Sequence, residues 1–429
     1  MSERWTRARA TTAGVVVGVV LLLTGALVGR PDVAVLGAAP VVAAVLDWRR
    51  RPSQDVTVRM DVPDEVPTAG LLSAEVTVAA PPGTAAVLVG VRRHENELAE
   101  VLVRVDGERV LPLSVQTMRT GAQPLAEVDA IGMGTGAASV SEPATPADRS
   151  VLVLPSVRPL DDLPLPPRLR GLTGAHDSRR PGEGGSLRDV HPFATGDRLR
   201  RIDWRVTARR SPQLTELYVR REHALAEAVV VLVVDSRDDV GPDPATWRGT
   251  QRPAASDATS LDLARQAAAS VAQGFLAAGD RVGLDDLGAL RRPLPPGGGR
   301  RQLDRIRQAL AVTTPEGEPR RRVRAPQISS GALVVVFSTF LDDDAADVAA
   351  RWRRAGHRVV AVDVLPALRD KHLDDKQRLA LRLVRIARED RLAALADADV
   401  ELVTWRSAPG VTLAQLARRA QRRVGAGAR

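Results

Sequence analysis

The 429-residue chain contains no cysteine, which excludes disulfides, thiolate metal sites and cysteine nucleophiles. Lysine is nearly absent: of 61 basic residues only Lys371 and Lys376 are lysines, so arginine carries the net charge of +9. Aromatic residues make up 3% of the chain, whereas stacking on single-stranded nucleic acid needs aromatic faces. The arginines are spread along the whole chain, mostly near Asp or Glu. The charge therefore reads as composition, and no nucleic-acid partner is expected. Several catalytic signatures are also missing: GxxxxGK[ST], HExxH and GxSxG do not occur. His94, His176, His191, His223, His357 and His372 fall at no metal-ligand spacing. His176, Asp177 and Ser178 are sequence neighbours, and a hydrolytic triad needs groups assembled by tertiary structure.

The hydrophobic share of 44% is that of a globular protein, and the length calls for two or three domains. From Ala10 to Gly29 no residue is charged. As a helix that run reaches about 30 Å, enough to cross a bilayer. Arg30, Pro31 and Asp32 interrupt it, and a second apolar run extends from Val33 to Leu46 before Trp48, Arg49, Arg50 and Arg51. Arg4, Arg7 and Arg9 precede the first run. With basic residues at both outer ends, the positive-inside rule predicts a hairpin over residues 1–51 with both ends in the cytoplasm. The alternative is a cleaved signal peptide ending near Gly37-Ala38-Ala39, which the triple arginine afterwards opposes.

Residues 52–157 show a period of two in VTVRMDV, AEVTVAA and VLVRV, the pattern of half-buried strands, and predict a small β-sandwich-like domain. Asp106-Gly107 between two such runs signals a hairpin turn. The stretch from Gly132 to Pro146 reads as a long loop. Residues 158–186, rich in Pro, Gly, Arg and Asp, read as an extended connector within a 158–225 segment.

In Arg188 to Glu222, Gly196-Asp197 is followed by Arg200, Ile202, Asp203, Trp204, Ala208 and Arg209. This pattern resembles the signature of a bacterial family known as domain of unknown function 58. The resemblance implies an N-terminal transmembrane pair, a β-rich segment and, after the signature, a von Willebrand factor A-like domain. On the residues themselves, Gly196 permits a turn that Asp197 can bridge, and Arg200 and Arg209 can pair with carboxylates. Asp203 and Trp204 suit either a docking surface or a semi-buried junction in which Trp204 is an anchor. The polar mixture favours the junction.

Residues 226–429 alternate continuous apolar runs, such as Val229 to Asp235 and Ala332 to Ser338, with amphipathic helices, predicting an α/β, Rossmann-like domain with a mostly parallel sheet. Ligands of such sheets bind at the carboxyl ends of the strands. There the resemblance implies an Asp-x-Ser-x-Ser loop, a Thr and a further Asp around a divalent cation. The first loop here is Asp235-Ser236-Arg237-Asp238-Asp239, with Arg237 where a hydroxyl is expected. The second, Pro295 to Gly299, offers no Thr, and the third has Thr339 in place of the carboxylate, with Asp342, Asp343 and Asp344 beyond. No cofactor is expected. Were Mg²⁺ to bind, Asp235, Ser236 and Asp239 would hold it, against the competing charge of Arg237.

The expected function is a membrane-tethered, non-catalytic adaptor or scaffold at the cell membrane, with its soluble domains in the cytoplasm. The family resemblance further implies a MoxR-type AAA+ ATPase as a protein partner, in assembly or maturation of other proteins. The alternative is a metal-dependent adhesion module that grips acidic residues of a client.

Overall fold

The computed structural model describes residues 5–63, 68, 70–93, 96–144, 149–171, 174–248, 253–254, 256–289, 292–315 and 328–426. Contacts divide the chain into two compact units, residues 1–117 with 122–153, and residues 118–121 with 154–429.

In the first unit the two apolar runs are helices, Arg9–Val28 and Pro31–Arg49, each long and apolar enough to cross a membrane. They pack closely because glycines lie between them. A Cβ on Gly25 would stand 2.4 Å from the backbone nitrogen of Ala34, and one on Gly37 would stand 2.5 Å from the carbonyl of Gly18. Small residues of this kind let membrane helices approach backbone to backbone. Pro40 lies inside the second helix without ending it.

The chain enters and leaves this hairpin through one β-structure. Trp5–Arg7 pairs antiparallel with Ser139–Ser141, and the Trp5 indole donates to the carbonyl of Gln54, 2.8 Å away, after the second helix. A five-stranded sheet runs in the order Trp5–Arg7, Ser139–Ser141, Glu127–Gly134, Thr84–Arg93, Asn96–Val103. A three-stranded sheet runs Thr57–Asp61, Gly70–Ala79, Glu108–Thr117. Inward residues of both, including Trp5, Met60, Leu72, Val78, Val87, Val89 and Ala130, form one core. The sandwich-like reading thus holds in outline, and two details differ. Asp106-Gly107 makes a turn, but the strands on either side join different sheets instead of pairing with each other. The stretch read as a loop from Gly132 begins inside a strand, because Val128 and Ala130 face the core and Gly132 after them admits close neighbours such as the Trp5 ring.

The second unit is built on a six-stranded sheet. Its elements are β1 (Val229–Val234), α1 (Ser260–Ala277), β2 (Arg281–Asp286), β3 (Leu294–Gly297), α2 (Arg300–Val312), β4 (Leu333–Ser338), α3 (Asp344–Arg354), β5 (Arg358–Asp363), α4 (Asp375–Asp397), β6 (Glu401–Thr404) and α5 (Pro409–Ala426). The order is β3-β2-β1-β4-β5-β6, parallel except for antiparallel β3 at one edge. Continuous apolar runs arise because each strand is covered twice. Val230, Leu232 and Val234 of β1 face a core shared with α1, α2 and α5, whereas Val233 faces a second core with α3 and α4. Neighbours of β1 lead away in opposite directions, so a crevice opens at its carboxyl end. The amino-terminal half of α4 leaves Leu379, Leu383 and Ile386 exposed.

The connector is more structured than its composition suggests. Val157, Leu160, Leu163, Leu165 and Leu169 pack against the first of these cores, and Arg358 donates to the carbonyl of Leu165 at 2.8 Å. His176–Pro192 is a strand paired antiparallel with Tyr218–Ala226 through several register shifts. Backbone pairing holds this ribbon, which is why an apolar pattern was missing. His176 anchors its base, donating from Nε2 to Asp280 at 2.9 Å, and the buried Asp280 also accepts from the amide of Ala228.

Candidate functional site

The carboxyl end of β1 carries the acidic loop 235–239. Asp235 and Arg237 are buried together: Arg237 Nε donates to Asp235 Oδ1 at 2.8 Å and its Nη2 to Oδ2 at 2.9 Å. Ser338, at the end of the adjacent β4, donates its hydroxyl to Asp235 Oδ2 at 2.7 Å. The same guanidinium reaches across to the β4–α3 loop, donating to Asp342 and to Asp344, each at 2.9 Å. One arginine side chain, 3% exposed, is thus shared by three carboxylates. Burial lowers the pKa of Arg237, but its bonds to Asp235 and the charges of Asp235 and Asp342 outweigh that and hold it above the ordinary value. The planar fork suits this role because it can satisfy several carboxylate oxygens at fixed angles.

The residues read as metal ligands do not converge. Asp235 is engaged as above. Ser236 points the other way and donates to Asp286 at 2.6 Å. Asp239 accepts from the amide of Leu261 and from Arg119, both at 3.4 Å. Arg119 belongs to the four-residue segment 118–121 that joins this unit. It also pairs with Asp262 at 2.8 Å, and Thr120 donates from both backbone and hydroxyl to that carboxylate. Among the described residues no group of three or more His, Asp or Glu is placed to hold a metal ion. The donor set does not fit a divalent cation, because a guanidinium already stands where the carboxylates meet. The third loop is clamped in turn from α4, by Arg388 on the Thr339 carbonyl at 2.7 Å and by Arg391 on Asp343 and on the Phe340 carbonyl.

Asp238 differs from its neighbours. It has no hydrogen-bond or ion-pair partner among the described residues. Burial, with the negative charges of Asp235 and Asp342, pushes its carboxyl up to about 6.

The signature residues lie elsewhere, between the two strands of the ribbon. Gly196 takes a φ of +102° in the turn, where Asp197 accepts from the amide of Ala194 at 2.9 Å. That bond holds the Asp197 carboxyl below its usual range, with Arg221 and His191 nearby. Asp203 caps the helix Trp204–Arg210 by accepting from the amide of Val206 at 3.0 Å. Arg200 lies 3.7 Å from Glu183, and Arg209 is exposed. Trp204 is 61% exposed. It does not anchor a buried junction, since Thr207 and Val219 fill the interior of this small module and the indole stands outside it.

Residues 189–382 match the family model described as "Protein of unknown function DUF58". Over this segment the chain is similar to the DUF58 family. The DUF58 match begins inside the first ribbon strand, contains the whole signature, and runs through β1 to β5 into α4. No curated protein matches the chain. Among solved structures, the chain is similar to a crystal structure of the CARDB domain of the PF1109 protein from Pyrococcus furiosus in complex with di-metal ions. The identity is 23%, the TM-score 0.19, and the match covers 23% of this chain and 92% of that one. A solution structure of the same domain gives 21% identity and a TM-score of 0.17, covering 23% and 94%. At these scores neither likeness carries a functional argument.

Proposed function

We propose that this protein is a membrane-tethered, non-catalytic adaptor whose α/β domain is a von Willebrand factor A-like binding scaffold with a built-in cation. The observation that carries this reading is the Arg237 guanidinium seated among Asp235, Asp342 and Asp344 at the carboxyl end of β1. A bound metal in that position would offer an open coordination site to a water or a partner carboxylate. An arginine offers none. The adaptor is therefore favoured over both a hydrolase and a metal-dependent adhesion module.

The tether follows from the hairpin. Trp5 before it and Gln54 after it are hydrogen-bonded in one β-structure, so both ends of the hairpin share one aqueous face. A chain cut after Ala39 would lose Trp5 from the core, which argues against a cleaved signal peptide. Arginines flank both ends, and Arg7 and Arg51 lie over the Trp48 ring at 4.7 and 4.2 Å. By the positive-inside rule that face is cytoplasmic, and a cytoplasmic MoxR-type AAA+ ATPase is the proposed partner. The test is affinity purification of the detergent-solubilised full chain with the cell's MoxR-type ATPase followed by quantitative mass spectrometry. Co-purification that depends on the α/β domain supports the adaptor. Its absence under crosslinking conditions counts against it.

A further inference from the structure

The tip of the ribbon, residues 193–217, is unusually rich in uncommitted surface. Leu199, Trp204 and Leu214 are 69%, 61% and 57% exposed. Tip arginines outnumber acids: Arg198, Arg200, Arg201, Arg205, Arg209 and Arg210 against Asp197, Asp203 and Glu216. All three acids are engaged within the module. Asp197 and Asp203 accept backbone amides, and Glu216 accepts from the Tyr218 hydroxyl at 3.2 Å. Four of the arginines are engaged as well. Arg198, Arg200 and Arg201 share Glu183, and Arg210 lies over the Tyr218 ring. Arg205 and Arg209 are not. Among the described residues they have no hydrogen-bond or ion-pair partner, and both are exposed.

These two arginines sit four residues apart on the helix Trp204–Arg210, so they are neighbours on one face. Like charges at that spacing repel, and among the described residues neither arginine has a carboxylate partner to offset it. An anion held between them would relieve the repulsion. Trp204 immediately precedes Arg205 at the start of the helix, beside the arginine pair. Trp and Arg together are the side chains that dominate binding energy at protein interfaces, an apolar anchor beside a charged fork. A bilayer surface would ask for apolar and basic groups without acids among them, whereas Asp197, Asp203 and Glu216 lie within this tip. Discrete carboxylates fit better than a lipid headgroup plane.

We propose that the exposed surface of this helix docks an acidic segment of a partner protein, with carboxylates of that segment between Arg205 and Arg209 and an apolar side chain against the adjoining Trp204. The proposal rests on the adaptor reading for its role, although the surface and its ligand chemistry stand on the ribbon alone.

The experiment places a photocrosslinking benzoylphenylalanine at Leu199 in the full chain in cells and maps the crosslinked site by mass spectrometry. A synthetic peptide of the mapped sequence is then titrated against the purified full chain in uncharged detergent. The expected result is a crosslink within an acidic stretch and peptide binding weakened at least tenfold by Arg205→Glu/Arg209→Glu. Lysine substitutions at the peptide's acidic positions should restore binding to that variant. Trp204→Ala should weaken binding while leaving the salt dependence unchanged. These residues are exposed, and hydrogen exchange at Tyr218–Ala226 confirms that the variants keep the ribbon. A crosslink to a segment without acids, or binding indifferent to the double variant, overturns the proposal. So does charge-dependent binding to phosphatidylglycerol vesicles with no protein crosslink. If the acidic segment belongs to a protein other than a MoxR-type ATPase, the docking site stands and the proposed partner falls. If that ATPase co-purifies but never crosslinks here, the reverse holds.

Discussion

Replacing Arg237 by methionine keeps most of the side-chain volume and removes the charge, leaving Asp235, Asp342 and Asp344 without their shared cation. Breaking a buried ion pair by deleting one partner costs about 3–5 kcal/mol. The lower end applies here, because Asp342 and Asp344 are 44% and 33% exposed and can regain water, whereas Asp235 is buried. A loss of about 3 kcal/mol corresponds to roughly a hundredfold faster opening, since 1.4 kcal/mol is tenfold. Hydrogen–deuterium exchange at the amides of β1 and β4 reads this locally. The effect should shrink toward pH 5, because an unpaired buried carboxylate takes up a proton instead of remaining charged. Asp235→Asn added to Arg237→Met should recover part of the loss. Exchange within about twofold of the parent at pH 7 would refute the account. So would Mg²⁺ slowing exchange in the parent, because the guanidinium would then not be the resident cation.

Three further outcomes follow from single residues. Asp238→Asn should stabilise the protein at pH 7, because a carboxyl pushed up to about 6 must ionise in the fold against its surroundings. Allowing for partial exposure the gain is about 1–2 kcal/mol. It should fade as pH falls through 6 toward 4 in denaturant titrations. Hydrogen bonding to Asp280 holds the His176 pKa above its usual value, so its contribution is complete below about pH 6.5. That contribution is lost as pH rises through the folded value, and ribbon-base exchange in the parent should converge on that of His176→Gln at alkaline pH. Trp5→Ala should cost the β-sandwich about 3–5 kcal/mol, as expected for emptying a buried tryptophan site. A change below 1 kcal/mol in its thermal unfolding would show that Trp5 is not part of that core.

Where the sequence was legible, one face of each element repeated a simple rule. The strands β1, β4 and β5 are apolar throughout because both faces are covered, and the two N-terminal helices could be read because each is a long apolar run, long enough to cross a membrane. β3 was illegible: LPPG has no strand character, and it pairs only as an irregular edge. The Asp106-Gly107 turn could be read, but whether its strands pair depends on which sheet each joins. Arg237 could be recognised as a rival to a metal, yet its bonds to Asp342 and Asp344 span 105 and 107 residues. Arg119 likewise reaches Asp239 across 120 residues. The exposure of Trp204 ran against expectation because large aromatics are usually covered, and composition cannot say from which side.

The central claim is a protein held at the membrane by a hairpin, with its working domain in the cytoplasm. Proteolytic accessibility of an epitope tag fused after Arg429, in intact against permeabilised cells, tests it most directly. Protection in intact cells and cleavage after permeabilisation is the predicted result. Cleavage in intact cells would place the α/β domain outside and contradict the account.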